Sequence, residues 1–267
     1  PHFPISDFKI PSTSLPRAAR HAFFYALFPD LSPRERTPLR APGLSAVHLQ
    51  PGMFVAILNH GRAAQALDLK RSFLPHARTI AIDSGSDLTP LERTAFDLAL
   101  PNVYYSGLLN AVAERTEHFA PDDPIFIWCS DVTCDDYGRA IELARRAFTR
   151  PWIGIYAPSA SHSDQPQMRN RGTGSVRRVT FVDGFCFAVR SSILHQLCPI
   201  DTRLNARGWG LEVQLGYIAR HHRWCTVIDD RIEVRHPRHT GYSRTDAWRE
   251  RGAWQAALPP IPRLFHR

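Results

Sequence analysis

The chain has 267 residues, enough for one large domain or for one domain with appendages. Hydrophobic residues make up 43% and charged residues 22%, which excludes a disordered, collagen-like or coiled-coil protein. Its formal net charge is +8, and since Lys9 and Lys70 are the only lysines, arginine supplies 31 of the 33 basic residues.

Guanidinium forks suit bidentate contacts to phosphate, so a phosphate-bearing partner is expected, with arginine-rich coding as the bland alternative. Cys129, Cys134, Cys186, Cys198 and Cys225 form no CxxC pair and no metal-ligand spacing, and several lie in apolar runs. They read as free thiols in a reducing compartment. Pro1–Pro16 lacks the charged-then-apolar pattern of a signal peptide, although the chain begins without Met. No apolar stretch is long enough to span a membrane, so the expected setting is cytoplasmic, membrane-peripheral at most.

Taken in chain order, residues 1–50 are proline-rich and read as an irregular arm, with one helical stretch at Pro16–Phe28. The period then changes to alternating strands and helices. Strands are expected at Met53–Leu58, Thr79–Ile82, Asn102–Tyr105, Pro124–Cys129 and Trp152–Tyr156. Helices are expected at Ala63–Leu74, Pro90–Leu100, Gly107–Phe119 and Tyr137–Phe148. Ser159–Arg178 reads as a long mobile basic loop. A strand pair broken at Asp183-Gly184, a short helix at Ser191–Leu197 and a turn at Asn205–Gly210 follow. A helix at Leu211–His221 and strands at Cys225–Ile228 and Ile232–His236 complete the domain. It spans 51–240, and 241–267 reads as an arginine- and proline-rich tail packed on it.

This alternation predicts an α/β protein with a mostly parallel central sheet flanked by helices. Ligands of such sheets bind at the carboxyl ends of strands, where Asn59, Asp83 and Asp131 fall. No Gly-x-Gly-x-x-Gly, Gly-Lys-Ser/Thr or Gly-x-Ser-x-Gly motif is present. That disfavours a Rossmann dehydrogenase, a P-loop ATPase and an ordinary α/β-hydrolase.

The order of segments 55–59 (Val-Ala-Ile-Leu-Asn), 80–87 (Ile-Ala-Ile-Asp-Ser-Gly-Ser-Asp), 126–132 (Phe-Ile-Trp-Cys-Ser-Asp-Val), 182–190 (Val-Asp-Gly-Phe-Cys-Phe-Ala-Val-Arg), 208–215 (Gly-Trp-Gly-Leu-Glu-Val-Gln-Leu) and 234–236 (Val-Arg-His) resembles the GT-A-fold nucleotide-sugar glycosyltransferases. The likeness is greatest to their large inverting bacterial family. It implies a GT-A fold and transfer of a hexosyl or pentosyl group from a nucleoside-diphosphate-sugar, a UDP-sugar first, with inversion. The acceptor would be a glycan, lipid-linked or nucleic-acid hydroxyl.

The same resemblance assigns roles. Asn59, Asp83 and Asp131 would bind the donor nucleotide, and Asp131 with His236 would hold Mn2+ or Mg2+ on the diphosphate. His239 is the fallback histidine. Glu212 would be the general base, and Asp183 and Trp209 would meet the acceptor. Each has a plainer reading: a turn or cap for Asp83, Asp87 and Asp131, a helix first-turn acid for Glu212, packing for Trp209 and a turn for Asp183. The chain departs from the family's Asp-x-Asp signature, since Cys129 stands at its first position, with Asp135 or Asp136 as substitutes. Leu211 likewise replaces an acid that often precedes the base. The 169–178 arginines could close over the diphosphate. Alternatives are a nucleotidyltransferase, a nucleic-acid-binding module suggested by the +8 charge, and a glycosyltransferase acting on DNA.

Overall fold

A computed structural model describes residues 52–237 and 243–258. The proline-rich arm, its expected helix at Pro16–Phe28, His239 and the end of the tail lie outside the described residues.

The chain opens with strand β1 (Phe54–Asn59), all six residues buried, then α1 (Ala63–Phe73), which turns Ala66, Leu69 and Phe73 inward. Strand β2 (Arg78–Ser84) and the short helix α2 (Pro90–Ala95) come next. Thr89 caps α2: its hydroxyl accepts from the Glu92 N–H while the Glu92 carboxylate accepts from the Thr89 N–H. Strand β3 (Leu98–Leu100), helix α3 (Tyr104–Arg115), strands β4 (Pro124–Cys129) and β5 (Thr133–Cys134), and helix α4 (Tyr137–Phe148) complete the first half. The second half holds β6 (Ile153–Ala160), β7 (Val176–Val179), β8 (Cys186–Arg190), α5 (Ser191–Leu197), α6 (Leu211–His221), β9 (Cys225–Arg235) and α7 (Arg244–Ala257).

One sheet carries all nine described strands, in the order β3-β2-β1-β4-β8-β6-β9-β5, with β7 also paired to β9. Its first four strands are parallel, with Asn59 opposite Asp83 in the β1–β2 register. Beyond β4 the sheet is mixed: β8 runs antiparallel to both β4 and β6, whereas β6 and β9 are parallel. Helices cover both faces, which is why the central strands are apolar throughout instead of alternating. Trp128 of β4 is fully buried, meets Phe73 edge-on at 4.9 Å and donates its indole N–H to the Val132 carbonyl at 2.9 Å. Each such buried side chain contributes on the order of 1.5–3 kcal/mol by leaving water.

Several boundaries depart from the sequence pattern. Of the strand pair expected over Val179–Val189, residues 180–185 form no strand, β7 ends at Val179 and only β8 follows the Asp183 turn. The helix expected over Pro90–Leu100 stops at Ala95, because Phe96 is extended and Asp97 is drawn onto β2, accepting from the Ala81 N–H at 2.7 Å and pairing with Lys70 at 2.8 Å. The strand therefore falls at Leu98–Leu100, and Tyr104-Tyr105, read as strand from their aromatic rings, start a helix instead. The last two expected strands are one, β9, whose pairing with β6 shifts register at Pro158–Ser159. The polar segment after residue 243 contains a helix that burial of Ala247 and Trp254 holds to the domain.

The 159–178 stretch is tethered rather than loose. Its first two residues still belong to β6 and its last three to β7. Asp230 on β9, its side chain wholly buried, accepts from Arg177 Nε at 3.1 and 3.2 Å and from the Thr173 hydroxyl at 2.8 Å. Removing the carboxylate strands a guanidinium that is only 13% exposed. Asp230→Ala is expected to cost about 3 kcal/mol in urea unfolding and to open the 161–175 segment to limited proteolysis. A loss below about 1 kcal/mol with an unchanged digestion pattern would show the tether to be incidental.

Candidate active site

The candidate residues gather beyond the carboxyl ends of β1, β2 and β4, where the parallel half of the sheet meets antiparallel β8 and where ligands of such sheets bind. Asn59 closes β1 and donates through Nδ2 to Asp83 Oδ1 at 2.7 Å. Ser86 donates its N–H to Asp83 Oδ2 at 2.9 Å and its hydroxyl to Asp83 Oδ1. Asp83 is thus 1% exposed and shapes the turn after β2, a role the sequence had suggested more for Asp87. The α2 cap is neither aspartate but Thr89. With the Asn59 amide nitrogen on Asp83, its oxygen points the other way. That leaves Asn59 Oδ1 buried without a donor among the described residues.

Asp131 sits two residues past β4, in a loop fixed by the Ser130 N–H donating to the Leu58 carbonyl at 2.9 Å. The short β5 that follows pairs with the end of β9, Thr133 opposite Arg235, and so carries His236 to Asp131. Their Nε2 and Oδ2 atoms stand 3.6 Å apart. The imidazole lies flat on Phe185, centroids 4.3 Å apart and planes within 6°, which fixes its orientation.

Neither proposed substitute for the missing acid takes its place. Asp135 pairs with Arg235, at 3.0 Å for one of its oxygens, and Asp136 caps α4 by accepting from the Arg139 N–H at 2.7 Å. The Cys129 thiol stays protonated, raised by burial first and then by the charges of Asp131 and Asp183. Among the described residues no three His, Cys, Asp or Glu side chains gather into a closed metal cage. One carboxylate oxygen facing one imidazole nitrogen is nonetheless a donor pair that an open-site transition ion such as Mn2+ can use, with water and substrate phosphates in its remaining positions, whereas Mg2+ takes oxygen ligands.

Asp183 lies within electrostatic reach of both His236 and Glu212. Asp183 turns the chain into β8, accepting from the Ser163 hydroxyl at 2.7 Å and the Gly184 N–H at 2.8 Å. Burial raises its carboxyl above the usual range despite these bonds and despite nearby His236. Glu212 opens α6, where its Oε2 accepts from the Gly210 N–H at 2.9 Å. Burial, and secondarily the charge of Asp183, push it up to about 7; the backbone donors and Arg251 of α7 pull the other way.

The turn before Glu212 depends on glycine. Gly208 has φ +77°, and a Cβ there would stand 2.4 Å from the Tyr105 ring. Tyr105 in turn donates its hydroxyl to the Gly184 carbonyl, so one side chain touches both the Asp183 turn and the Glu212 turn. Trp209 packs edge-on against Trp248 of α7, centroids 5.2 Å apart.

The sequence-derived residues therefore fall into three neighbouring sets: Asn59 with Asp83, Asp131 with His236, and Asp183 with Glu212. Trp209 flanks the last. Tyr105, Ser163, Trp248 and Arg251 were missed. Tyr105 was hidden in a strand-like Asn-Val-Tyr-Tyr run. Trp248 and Arg251 lay in a segment whose one helix signal, Ser243 three residues before Asp246, passed unused. Of the loop arginines, Arg177 is bound to Asp230 and Arg178 lies over the Trp152 ring at 5.1 Å.

No family model and no curated protein matches the chain. Solved structures do. A crystal structure of GalNAc-T7 with UDP, GalNAc and Mn2+ superposes at a TM-score of 0.52 and 12% identity, over 71% of this chain and 44% of that one. The mannosyltransferase PcManGT from Pyrobaculum calidifontis, in complex with GDP-Man and Mn2+, superposes at 0.52 and 13% identity, over 93% of this chain and 76% of that one. This chain thus spans less than half the length of the first and about three quarters of the second. The chain has the GT-A fold of nucleotide-sugar glycosyltransferases.

Proposed function

We propose that the protein is a metal-dependent glycosyltransferase that moves a sugar from a nucleoside-diphosphate-sugar to an acceptor hydroxyl with inversion. The observation that carries this reading is the Asp131–His236 pair with Asp183 and Glu212 in electrostatic reach beside it, the Glu212 carboxyl pushed up to about 7, in a fold shared with two Mn2+-bound nucleotide-sugar enzymes. Both neighbours hold a nucleoside diphosphate or its sugar, and a UDP-sugar is our first candidate donor. Five free cysteines suit a reducing, cytoplasmic setting.

In this reading Asn59 Oδ1 accepts an N–H or O–H from the nucleoside, while Asp83 holds the amide in place. Asp131 and His236 hold the divalent ion, which when bound supplies positive charge to the diphosphate leaving group. Glu212 takes the proton of the acceptor hydroxyl as its oxygen attacks the anomeric carbon. The bond from that carbon to the phosphate oxygen breaks, and its electron pair leaves with the diphosphate. Burial raises the proton affinity of Glu212, and the charge of Asp183 adds to it.

Release of nucleoside diphosphate, instead of pyrophosphate, separates this reaction from nucleotidyl transfer. Glu212→Gln is expected to lower transfer by about 100- to 10,000-fold while leaving donor binding intact. The wild-type rate should climb with pH to a plateau above about 7, as Glu212 loses its proton.

Stability should move the other way. The folded carboxyl keeps its proton up to about 7 and the unfolded one loses it near 4.5, so the folded state binds more protons across that window and loses stability as pH rises through it. Glu212→Gln should flatten this slope in thermal melts. A variant with the wild-type slope and wild-type turnover would remove Glu212 from the mechanism.

With Mn2+ present, a UDP-sugar at about 100 times its Kd should stabilise the fold by roughly 2.7 kcal/mol. Asp131→Ala should abolish the Mn2+-dependent part of that gain. If the gain persisted undiminished, the ion would be held elsewhere.

A further inference from the structure

Helix α7 places a second tryptophan beside the Glu212 turn. Its inner face is anchored by Ala247, fully buried, and Trp254, 8% exposed, whereas Trp248 stands 54% exposed. Trp248 and the indole behind it form an apolar aromatic surface beside the Glu212 turn, of the kind that takes the flat apolar face of a ligand. The backing ring is Trp209, three residues ahead of Glu212, its plane at 75° to that of Trp248. Arg251 joins the two features: its guanidinium lies 4.9 Å over the Trp248 ring, and its charge reaches the Glu212 carboxyl.

A third exposed aromatic, Tyr104, is 41% exposed and flanks the same turn, its ring under the Arg207 guanidinium at 5.2 Å. Tyr104 has φ +54°, a conformation costly for a bulky residue. It is held there because α3 starts against the turn, the Ser106 N–H donating to the Ala206 carbonyl at 3.0 Å.

The charges here distinguish between ligands. Arg207 pairs with Glu250 and, at 3.5 Å, with Asp246. Arg249 pairs with Asp246 at 2.7 Å and Arg244 with Asp164 at 3.1 Å. A polyanion would have to displace these carboxylates to gain its own contacts. A pyranose ring asks for neither, since its C–H face is apolar and its hydroxyls need only polar neighbours at the rim.

We propose that Trp248, backed by Trp209, is the stacking platform for a sugar ring of a neutral glycan acceptor whose hydroxyl Glu212 deprotonates. This rests on the transferase reading and narrows its acceptor from glycan, lipid-linked or nucleic-acid hydroxyl to the first. The charge pairing argues specifically against DNA.

The test titrates the full chain, without donor, with maltohexaose, cellohexaose, chitohexaose and a short DNA duplex, following tryptophan fluorescence. At least one oligosaccharide should change the emission saturably, and Trp248→Ala should weaken that binding about tenfold or more while Trp248→Phe retains most of it. Trp248 is exposed, so its loss should leave the melting temperature near wild type. In turnover, Trp248→Ala should raise the glycan KM by a similar factor.

Binding of none of the three glycans, or of the duplex alone, overturns the platform. So does equal glycan binding by wild type and Trp248→Ala. Donor hydrolysis keeps the two readings apart: a wild type that binds glycan through Trp248 but never turns over a nucleotide-sugar keeps the platform and loses the transferase.

Discussion

Two poorly solvated acids stand within electrostatic reach of one another at the site. Burial is the first cause that raises each carboxyl, and the charge of Asp183 adds to the rise of Glu212. Asp183 is fixed by a serine hydroxyl and a backbone N–H; Glu212 has the Gly210 N–H and the start of α6. Hydrogen bonds stabilise the charged form of each, and burial opposes it. For Glu212 the balance settles near neutrality, where a group can both hold and surrender a proton.

The sheet supplies the other residues of the site by a separate device. Three parallel strands end level with one another, so Asn59, Asp83 and the Asp131 loop emerge together. Histidine arrives from the other end of the sheet through the two-residue pairing of β5 with β9. The Asp131–His236 distance therefore depends on strand register, which is rigid, and the orientation of the ring depends on Phe185.

Much of this was legible in the sequence. Apolar runs bounded by polar turns gave β1, β2 and β4 to within two residues, because these strands are largely buried on both faces, and helical spacing gave α4, whose one apolar face packs inward. Where a single tertiary contact decided the outcome, the pattern misled. Asp97 cuts short a helix that local spacing would extend, and Tyr104-Tyr105 carry strand-like rings into a helix because their partners lie around Gly184 and Ala206. The site residues came from motif order, whose strand-end placement is physical. Their bonding could not be read: nothing along the chain says that Asp83 is saturated by Asn59 and Ser86, or that Asp135 is taken by Arg235. The charge excess was also read too simply, since Arg177, Arg190, Arg207 and Arg231 are matched to aspartate or glutamate inside the chain.

Tyr105 gives the site an unusual kind of unity. Its hydroxyl holds the Gly184 carbonyl and its ring fills the space that a Gly208 side chain would need. Segments near residues 105, 184 and 208 are far apart along the chain, yet they fit only in one another's presence. The pair Asp183 and Glu212 is inherited as a set: a recombinant that takes the 205–212 turn from one relative and the start of α3 from another would assemble every strand and still lose the spacing between its two acids.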